Sequence, residues 1–247
     1  MLGWRPVQES RPVSGGGVEP VPMELDVVHE DAALLVVNKP AGMLVHPVTA
    51  GARDTLANGV AHRFAARGFP PVAHLVHRLD RDTSGLVLVA GSAAVHALLD
   101  RQLASRALRR EYLALVDGEV GEEVGVVDAP VGRDPDDPPL RAVRPEGGAA
   151  RTRFRVEERF AGATLLRLEL ETGRTHQIRV HLAHLGHPVL GDRWYGRRGL
   201  ERIGRQALHA AALSLVHPFT GEPLRCEAPL PADMAALRGR LRDGAAG

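Results

Sequence analysis

Short apolar runs closed off by glycine, proline or charge recur along this chain, and their length constrains the fold more than any other feature. ALLVVN (33–38), LVLVA (86–90), REYLALV (110–116) and LLRLELE (165–171) are too short for packed helices and suit strands of roughly 4 to 8 residues. The first must stop at Pro40, which has no N–H for a sheet ladder and leads into a turn at Ala41-Gly42, so Lys39 stands at a strand exit. TRFRV (152–156), a turn at 161–163 and LLRLELE form a meander with Leu166, Leu168 and Leu170 on one face. Helical spacing is confined to three places. Leu56, Val60 and Phe64 follow a cap at Asp54 or Thr55; Val95, Leu98, Leu99 and Leu103 follow Ser92; THQIRVHLAHLGHP (175–188) carries Ile178, Leu182 and Leu185 on one stripe before a stop at Gly186. Many strands and few helices imply an α+β domain on a mixed, largely antiparallel sheet, spanning 23–234. Residues 1–22, rich in Pro, Gly and Ser, are expected to be a flexible N-terminal arm, 132–150 a charged Pro/Gly loop, and 235–247 a C-terminal tail.

At 247 residues, 44% apolar and 25% charged, the chain has the balance of a globular protein with a sizeable core. No run approaches the roughly 18 apolar residues of a membrane helix, and the first residues show neither a basic-then-apolar leader nor a cleavage site. A cytoplasmic protein without membrane contact is expected. Cys226, the one cysteine, has no intramolecular disulfide partner and reads as a half-buried strand thiol in the alternating LRCEAPL. A net charge of +1 announces no polyanionic partner, so any nucleic-acid surface must come from local clusters.

Of the 31 basic residues, all but Lys39 are arginine, which raises the question of what this one lysine does that arginine would not. Chance survival is one answer, and its surroundings must supply any other. HRLDRDTSG (77–85) places Asp80 between two arginines in a polar loop between apolar segments, a common position for a site and equally for solvated ion pairs. Asp82 suits a turn cap through Thr83 and Ser84. TGRTHQIRVH (172–181) adds Arg174 and Arg179 at a strand-to-helix junction; at about 100° per residue, Arg179 falls at the edge of the buried face, a place either for meeting a carboxylate from another loop or, the default for a lone arginine, for snorkelling to solvent. His176, His181, His184 and His187 invite a metal reading, but only His181 and His184 share a helix face and no HExxH pattern occurs, so helix-surface histidines are expected and no metal. The two tyrosines lie near arginines. Tyr112 reads as a core strand residue, whereas for Trp194-Tyr195, followed by Arg197, Arg198, Arg202 and Arg205, a solvated basic loop competes with a phosphate-contacting patch, which the arginine density favours.

Taken together, EDAALLVVNKPAGMLVHP, VHRLDRDTSGLVLVA, RREYLALVDG, LETGRTHQIRVHLAHLGHPVLGDRWYG and ALHAAALSLVHPFTGEPLRCEAPLP, in this order from Val27 to Met234, resemble the RluA-type family of RNA pseudouridine synthases. The pairing of HRLDxxTSG with GRTHQIRVH is the specific part. The resemblance implies the pseudouridine synthase fold, an extended mixed sheet with a central cleft, and isomerisation of uridine within RNA, ribosomal RNA before transfer RNA. It also implies Asp80 as the catalytic carboxylate, Tyr112 as the active-site tyrosine, Arg179 as the partner of Asp80, and Arg78 as a residue that enters the space left by a flipped nucleotide. Arg174, His176, Arg197 and Arg198 are candidate RNA contacts, and Lys39 with Pro40 supports the site structurally. A compact ammonium donating to several loop carbonyls would explain why a planar guanidinium does not replace Lys39; a Schiff-base nucleophile is the competing idea.

Isomerisation at a glycosidic bond needs no cofactor and no metal, and it needs the nucleotide out of its stack. Many relatives carry a small RNA-binding domain ahead of the catalytic one. A 22-residue arm is short for a domain, so target choice is expected to rest on the catalytic domain, through 132–150 and the arginines after Trp194. A monomer is expected. Two competing readings are an inactive RNA-binding protein of the same fold and a histidine-dependent metal hydrolase.

Overall fold

The computed structural model describes residues 18–49, 51–196 and 199–244. Its elements, in chain order, are β1 (Val27–Glu30), β2 (Leu34–Lys39), α1 (Leu56–Ala66), β3 (His74–Leu75), β4 (Ser84–Ala90), α2 (Ala93–Ala104), β5 (Arg109–Asp117) and β6 (Val124–Asp128). There follow β7 (Val131–Arg133), β8 (Arg141–Val143), β9 (Arg151–Phe160), β10 (Ala163–Leu170), α3 (Gln177–His184), α4 (Leu200–Ile203), β11 (Leu208–Val216), β12 (Pro223–Glu227) and α5 (Ala232–Arg242). Ten strands form one sheet in the order β1, β2, β4, β11, β5, β10, β9, β6, with β3 beside β4 and β12 beside β11. Every pairing is antiparallel except that of β4 with β11. The architecture is the α+β class expected, with a mixed and largely antiparallel sheet.

The continuous apolar runs arise because central strands are covered on both faces. In β2, Leu35 and Val37 enter one core cluster with α1 and α5, while Leu34 and Val36 enter the other with α2. β4 divides in the same way, Val87 and Val89 against Leu86 and Leu88. Close packing at the seam between β4 and β11 requires a glycine. Gly85 has φ of +113°, and a Cβ there would sit 2.2 Å from the Ala210 carbonyl oxygen.

Several expectations are corrected. Residues 18–22 of the supposed arm are docked: Val21 N donates to Asn58 O at 3.1 Å and Asn58 Nδ2 donates to Glu19 O at 2.8 Å. The rest of the arm through residue 17 lies outside the described residues. Within 132–150, Arg141–Val143 returns to pair with Val131–Arg133 as a two-stranded hairpin, and that segment's Val143 packs with Tyr195 against the small cluster of Val131, Ala150 and Val180. Residues 235–242 of the expected tail belong to α5, which buries Met234, Leu237 and Leu241 at helical spacing, and 245–247 lie outside the described residues. On α2, Val95 and Leu99 are buried but Leu98 is exposed, and Leu185 past the end of α3 is exposed as well. Cys226 is buried on β12, more deeply than a half-buried thiol. None of the described helices is long and apolar enough to cross a membrane.

Candidate active site

The loop between β3 and β4 carries Asp80, and its backbone is gripped from two sides. Lys39, at the end of β2, is fully buried, and its Nζ donates to Pro40 O (2.8 Å), Met43 O (2.8 Å) and Arg81 O (3.0 Å). Three carbonyls converging on one point suit the three donors of a slim ammonium, whereas a planar guanidinium needs a wider slot. Burial pushes the Lys39 pKa down to about 7, against the raising influence of Asp80 and Asp82. On the other side Arg205 Nη1 donates to Asp82 O at 3.1 Å, while Nε and Nη2 clasp the Asp233 carboxylate at 2.6 and 2.9 Å. Arg205 was expected in a phosphate-binding patch. Its donors are instead spent inside the protein, tying the loop to the start of α5.

Arg179 projects from the second residue after the start of α3, whose first turn is set by His176 in a left-handed conformation, φ +57°. Its guanidinium reaches across to the loop, where Nη1 donates to Asp80 Oδ2 at 3.0 Å. Behind it stands a second carboxylate. Arg179 Nε and Nη2 donate to Asp192 Oδ2 and Oδ1 at 2.6 and 2.8 Å, and Asp192 Oδ1 also accepts the backbone N–H groups of Trp194 and Tyr195 at 3.0 and 3.2 Å. The Asp192 turn is pressed into place by Gly191, φ +74°, where a Cβ would lie 2.1 Å from Arg205 O. Trp194 and Tyr195 lie over the guanidinium, 4.8 and 5.0 Å from its carbon to the ring centres.

Tyr112 on β5 completes a cleft with Asp80, Arg179, Arg78, Arg174 and His176, enclosing about 360 Å³ including its open mouth. Burial raises the Tyr112 pKa and the charge of Asp80 raises it further, partly offset by Arg110, so the phenol keeps its proton. Burial pushes Asp80 up, yet His176, the charge and hydrogen bond of Arg179, and Arg78 together hold it below the ordinary carboxylate range. Since burial pushes His176 down to about 4, its ring is neutral at pH 7, and the permanent guanidinium charges keep Asp80 ionised. The site thus presents an ionised carboxylate, a fixed cation behind it and a neutral phenol face to whatever enters.

The remaining candidates divide. Arg78 is exposed at the cleft, and Arg174 lines it while Nε donates to Ala149 O at 3.1 Å. His176 is 4% exposed, so it belongs to the cleft wall and not to an outer RNA-contacting surface; its Nδ1 lies 2.8 Å from the Tyr195 hydroxyl, which accepts the Arg141 N–H at 2.9 Å. Arg197 and Arg198 lie outside the described residues. His181, expected at the helix surface, is fully buried between Thr152 Oγ1 (2.8 Å) and Ala129 O (2.9 Å), and among the described residues no three metal-ligating side chains converge. Asp82 caps no turn: its carboxylate is held by Arg81 at 3.1 and 3.2 Å. Sequence reasoning missed Asp192 and Asp233, and it named Arg205 without its part in holding the loop. The only local signal was an aspartate directly after a glycine turn in GDRWYG.

Known proteins bear on this geometry. The RNA pseudouridylate synthase family matches residues 33–184. The Uncharacterized RNA pseudouridine synthase YhcT of Bacillus subtilis is 47% identical over 219 residues, covering 87% of this chain and 71% of that protein. Ribosomal large subunit pseudouridine synthase D of Nitrosomonas europaea is 47% identical over 227 residues, covering 89% and 66%. Among solved structures, Human RNA Pseudouridylate Synthase Domain Containing 4 superposes with a TM-score of 0.71 at 26% identity, covering 87% of this chain and 92% of that one. Family match, identity and shape agree with a carboxylate cleft closed by Arg179 and Tyr112: the chain belongs to the RluA-type RNA pseudouridine synthases and is an isomerase.

Proposed function

We propose that this protein isomerises particular uridines of ribosomal RNA to pseudouridine, with Asp80 as the reacting carboxylate. The observation that carries the reading is the Asp80–Arg179 pair, 3.0 Å apart at the floor of a cleft walled by Tyr112. A carboxylate held below its ordinary pKa is ionised at neutral pH, as required to attack the anomeric carbon or to remove the proton at ribose carbon 2′. Either route breaks the bond from uracil nitrogen to the sugar, lets the base turn, and rejoins it through carbon. Tyr112 offers the base a flat face and its hydroxyl a proton-handling group near the carbon that ends by losing hydrogen. The target nucleotide leaves its stack to reach Asp80, and exposed Arg78 at the cleft mouth is suited to fill the gap it leaves.

Ribosomal RNA is favoured over transfer RNA by the relatives named ribosomal large subunit pseudouridine synthase D, at 42 to 47% identity. The inactive RNA-binding alternative is disfavoured by the intact trio of Asp80, Tyr112 and Arg179. Incubation of the protein with unmodified bulk RNA should produce pseudouridine, and deletion of the gene should remove it from specific large-subunit positions. Losses confined to transfer RNA would move the substrate, and no product from any RNA would sink the enzyme reading.

A further inference from the structure

Arg110 has a charge that the site as described does not use. It lies on β5 two residues before Tyr112, so both side chains project from the same face of the strand. Only 9% of the residue is exposed. A guanidinium carries five N–H donors. Among the described residues this one makes a single hydrogen bond, Nη2 to the Thr172 carbonyl at 3.3 Å, and its Nε is buried without a partner. No carboxylate of the described residues pairs with it. Elsewhere the fold supplies such partners freely: Arg179 has Asp80 and Asp192, Arg205 has Asp233, and Arg167 has Glu111 and Glu157. A cation withdrawn from water without a counter-charge is costly, so buried charges as a rule are paired.

Its surroundings point to the rim of the cleft. Arg110 lies against the turn at Thr172 and Gly173, where a Cβ on Gly173 would be 3.0 Å from Nη1; the glycine leaves the room the guanidinium occupies. The next residue, Arg174, lines the cleft, as does Tyr112. The charge of Arg110 acts on Tyr112 and on His77, the residue before Arg78.

We propose that Arg110 is half of an anion site that the substrate completes: a backbone phosphate of the RNA, beside the nucleotide entering the Tyr112 cleft, docks on its guanidinium at the Gly173 turn. This rests on RNA being the substrate. A phosphate is the occupant because a nucleotide whose base reaches Tyr112 brings its own backbone to the rim, and a phosphate oxygen accepts the fork of donors that the protein leaves unused. The free protein holds an uncompensated charge, and the bound complex does not.

The test uses the full chain with Arg110→Gln, which keeps polar volume without charge, and Arg110→Lys, which keeps the charge. With inorganic phosphate, the wild type should melt at a higher temperature by an increment that Arg110→Gln lacks and Arg110→Lys partly retains. Without phosphate, Arg110→Gln should melt no lower than wild type, because the charge it removes has no partner. Against an unmodified RNA transcript, its affinity should fall about tenfold and the slope of log affinity against log salt should shrink by about 0.7 to 0.9. An Arg110→Gln protein that melts lower without phosphate, or that keeps the full salt slope and the phosphate increment, would overturn the proposal. If the wild type forms no pseudouridine yet keeps a phosphate increment that Arg110→Gln loses, the anion site stands and the functional reading falls.

Discussion

Two carboxylates hold Arg179, and they hold it differently. Asp192 is sealed from solvent, accepts from Nε and Nη2 of the guanidinium at 2.6 and 2.8 Å, and accepts two backbone N–H groups besides. Asp80 keeps 17% of its side chain exposed and receives one arm at 3.0 Å. A carboxylate has about four lone-pair positions. Asp192 accepts four hydrogen bonds, three of them on Oδ1, and Asp80 has positions open toward the cleft. The same cation therefore has an anchor on one side and, in the proposed reaction, the reacting carboxylate on the other. Saturation of hydrogen bonds, more than charge or distance, separates the two.

The sharpest way to break this contrast is to neutralise each in turn. Asp80→Asn should abolish pseudouridine formation while shifting stability by no more than about 1 kcal/mol and RNA affinity only a few-fold, since Asp192 still holds Arg179 and phosphate contacts supply most binding. Measurable turnover at the wild-type rate would remove Asp80 from the chemistry. Asp192→Asn should behave in the opposite proportion. It leaves a buried guanidinium without its main counter-charge, at about 3 to 5 kcal/mol of folding stability, and lets the Asp80 partner drift, at about 10²-fold in rate at saturating RNA. Chemical denaturation and single-turnover rates separate the two signatures, and an Asp192→Asn protein as stable as wild type would make the anchor dispensable.

A smaller effect tests the clamp under Asp80. Lys39→Met leaves the carbonyls of Pro40, Met43 and Arg81 without their donor, at about 1 to 3 kcal/mol, and Lys39→Arg should also lose activity because its head is too wide. The pH dependence carries a sign. With Lys39 at about 7 in the fold against an ordinary 10.5, the unfolded chain binds more protons between those values. Wild-type stability relative to Lys39→Met should therefore rise as pH climbs through that window and stay level below it. A difference that is flat from pH 7 to 10 would show that burial leaves the ammonium untouched, and borohydride trapping of RNA at Lys39 would give it a chemical role instead. The smallest change is expected from Asp82→Asn. Among the described residues its carboxylate pairs only with the adjacent, half-buried Arg81, so turnover and stability should stay near wild type, within about 0.5 kcal/mol. A loss as large as that of Asp80→Asn would show that the wrong carboxylate had been assigned.

Much of this was legible before the structure. β2, β4, β5 and β10 were visible because each is a short apolar run with a proline, glycine or charge at its end, and α1 because Thr55 precedes a helical stripe. At the edge of the buried face Arg179 was placed either to snorkel or to meet a carboxylate from another loop, and it meets Asp80. Asp80 and Tyr112 stood out only through the resemblance, since an aspartate in a polar loop and a tyrosine in a strand are ordinary. Asp192, Asp233 and the part played by Arg205 were illegible for a physical reason: each involves a partner at least 13 residues away, and nothing in local propensity records that distance. α5 was missed although Met234, Leu237 and Leu241 have the right spacing, because Gly239 and four charged residues dilute the stripe. The β7–β8 hairpin hid inside a segment whose prolines and aspartates read as loop.

The position of β11 governs how the protein comes together. It is the only strand that bridges β4 and β5, pairing in parallel with one and antiparallel with the other. Without it the sheet is two pieces: β1, β2, β3 and β4 with the Asp80 loop, and β5, β10, β9 and β6 with Tyr112 and the Arg179 helix. Each piece is built from neighbours close in sequence and is quick to form; the joint between them closes a loop of more than a hundred residues, from Ser84 to His209, and is slow. During that interval β4 and β5 both present bare edges, the surfaces on which chains mispair with one another. A nascent chain synthesised only as far as Gln206 holds Asp80, Tyr112 and Arg179 but not the strand that joins their two pieces of sheet.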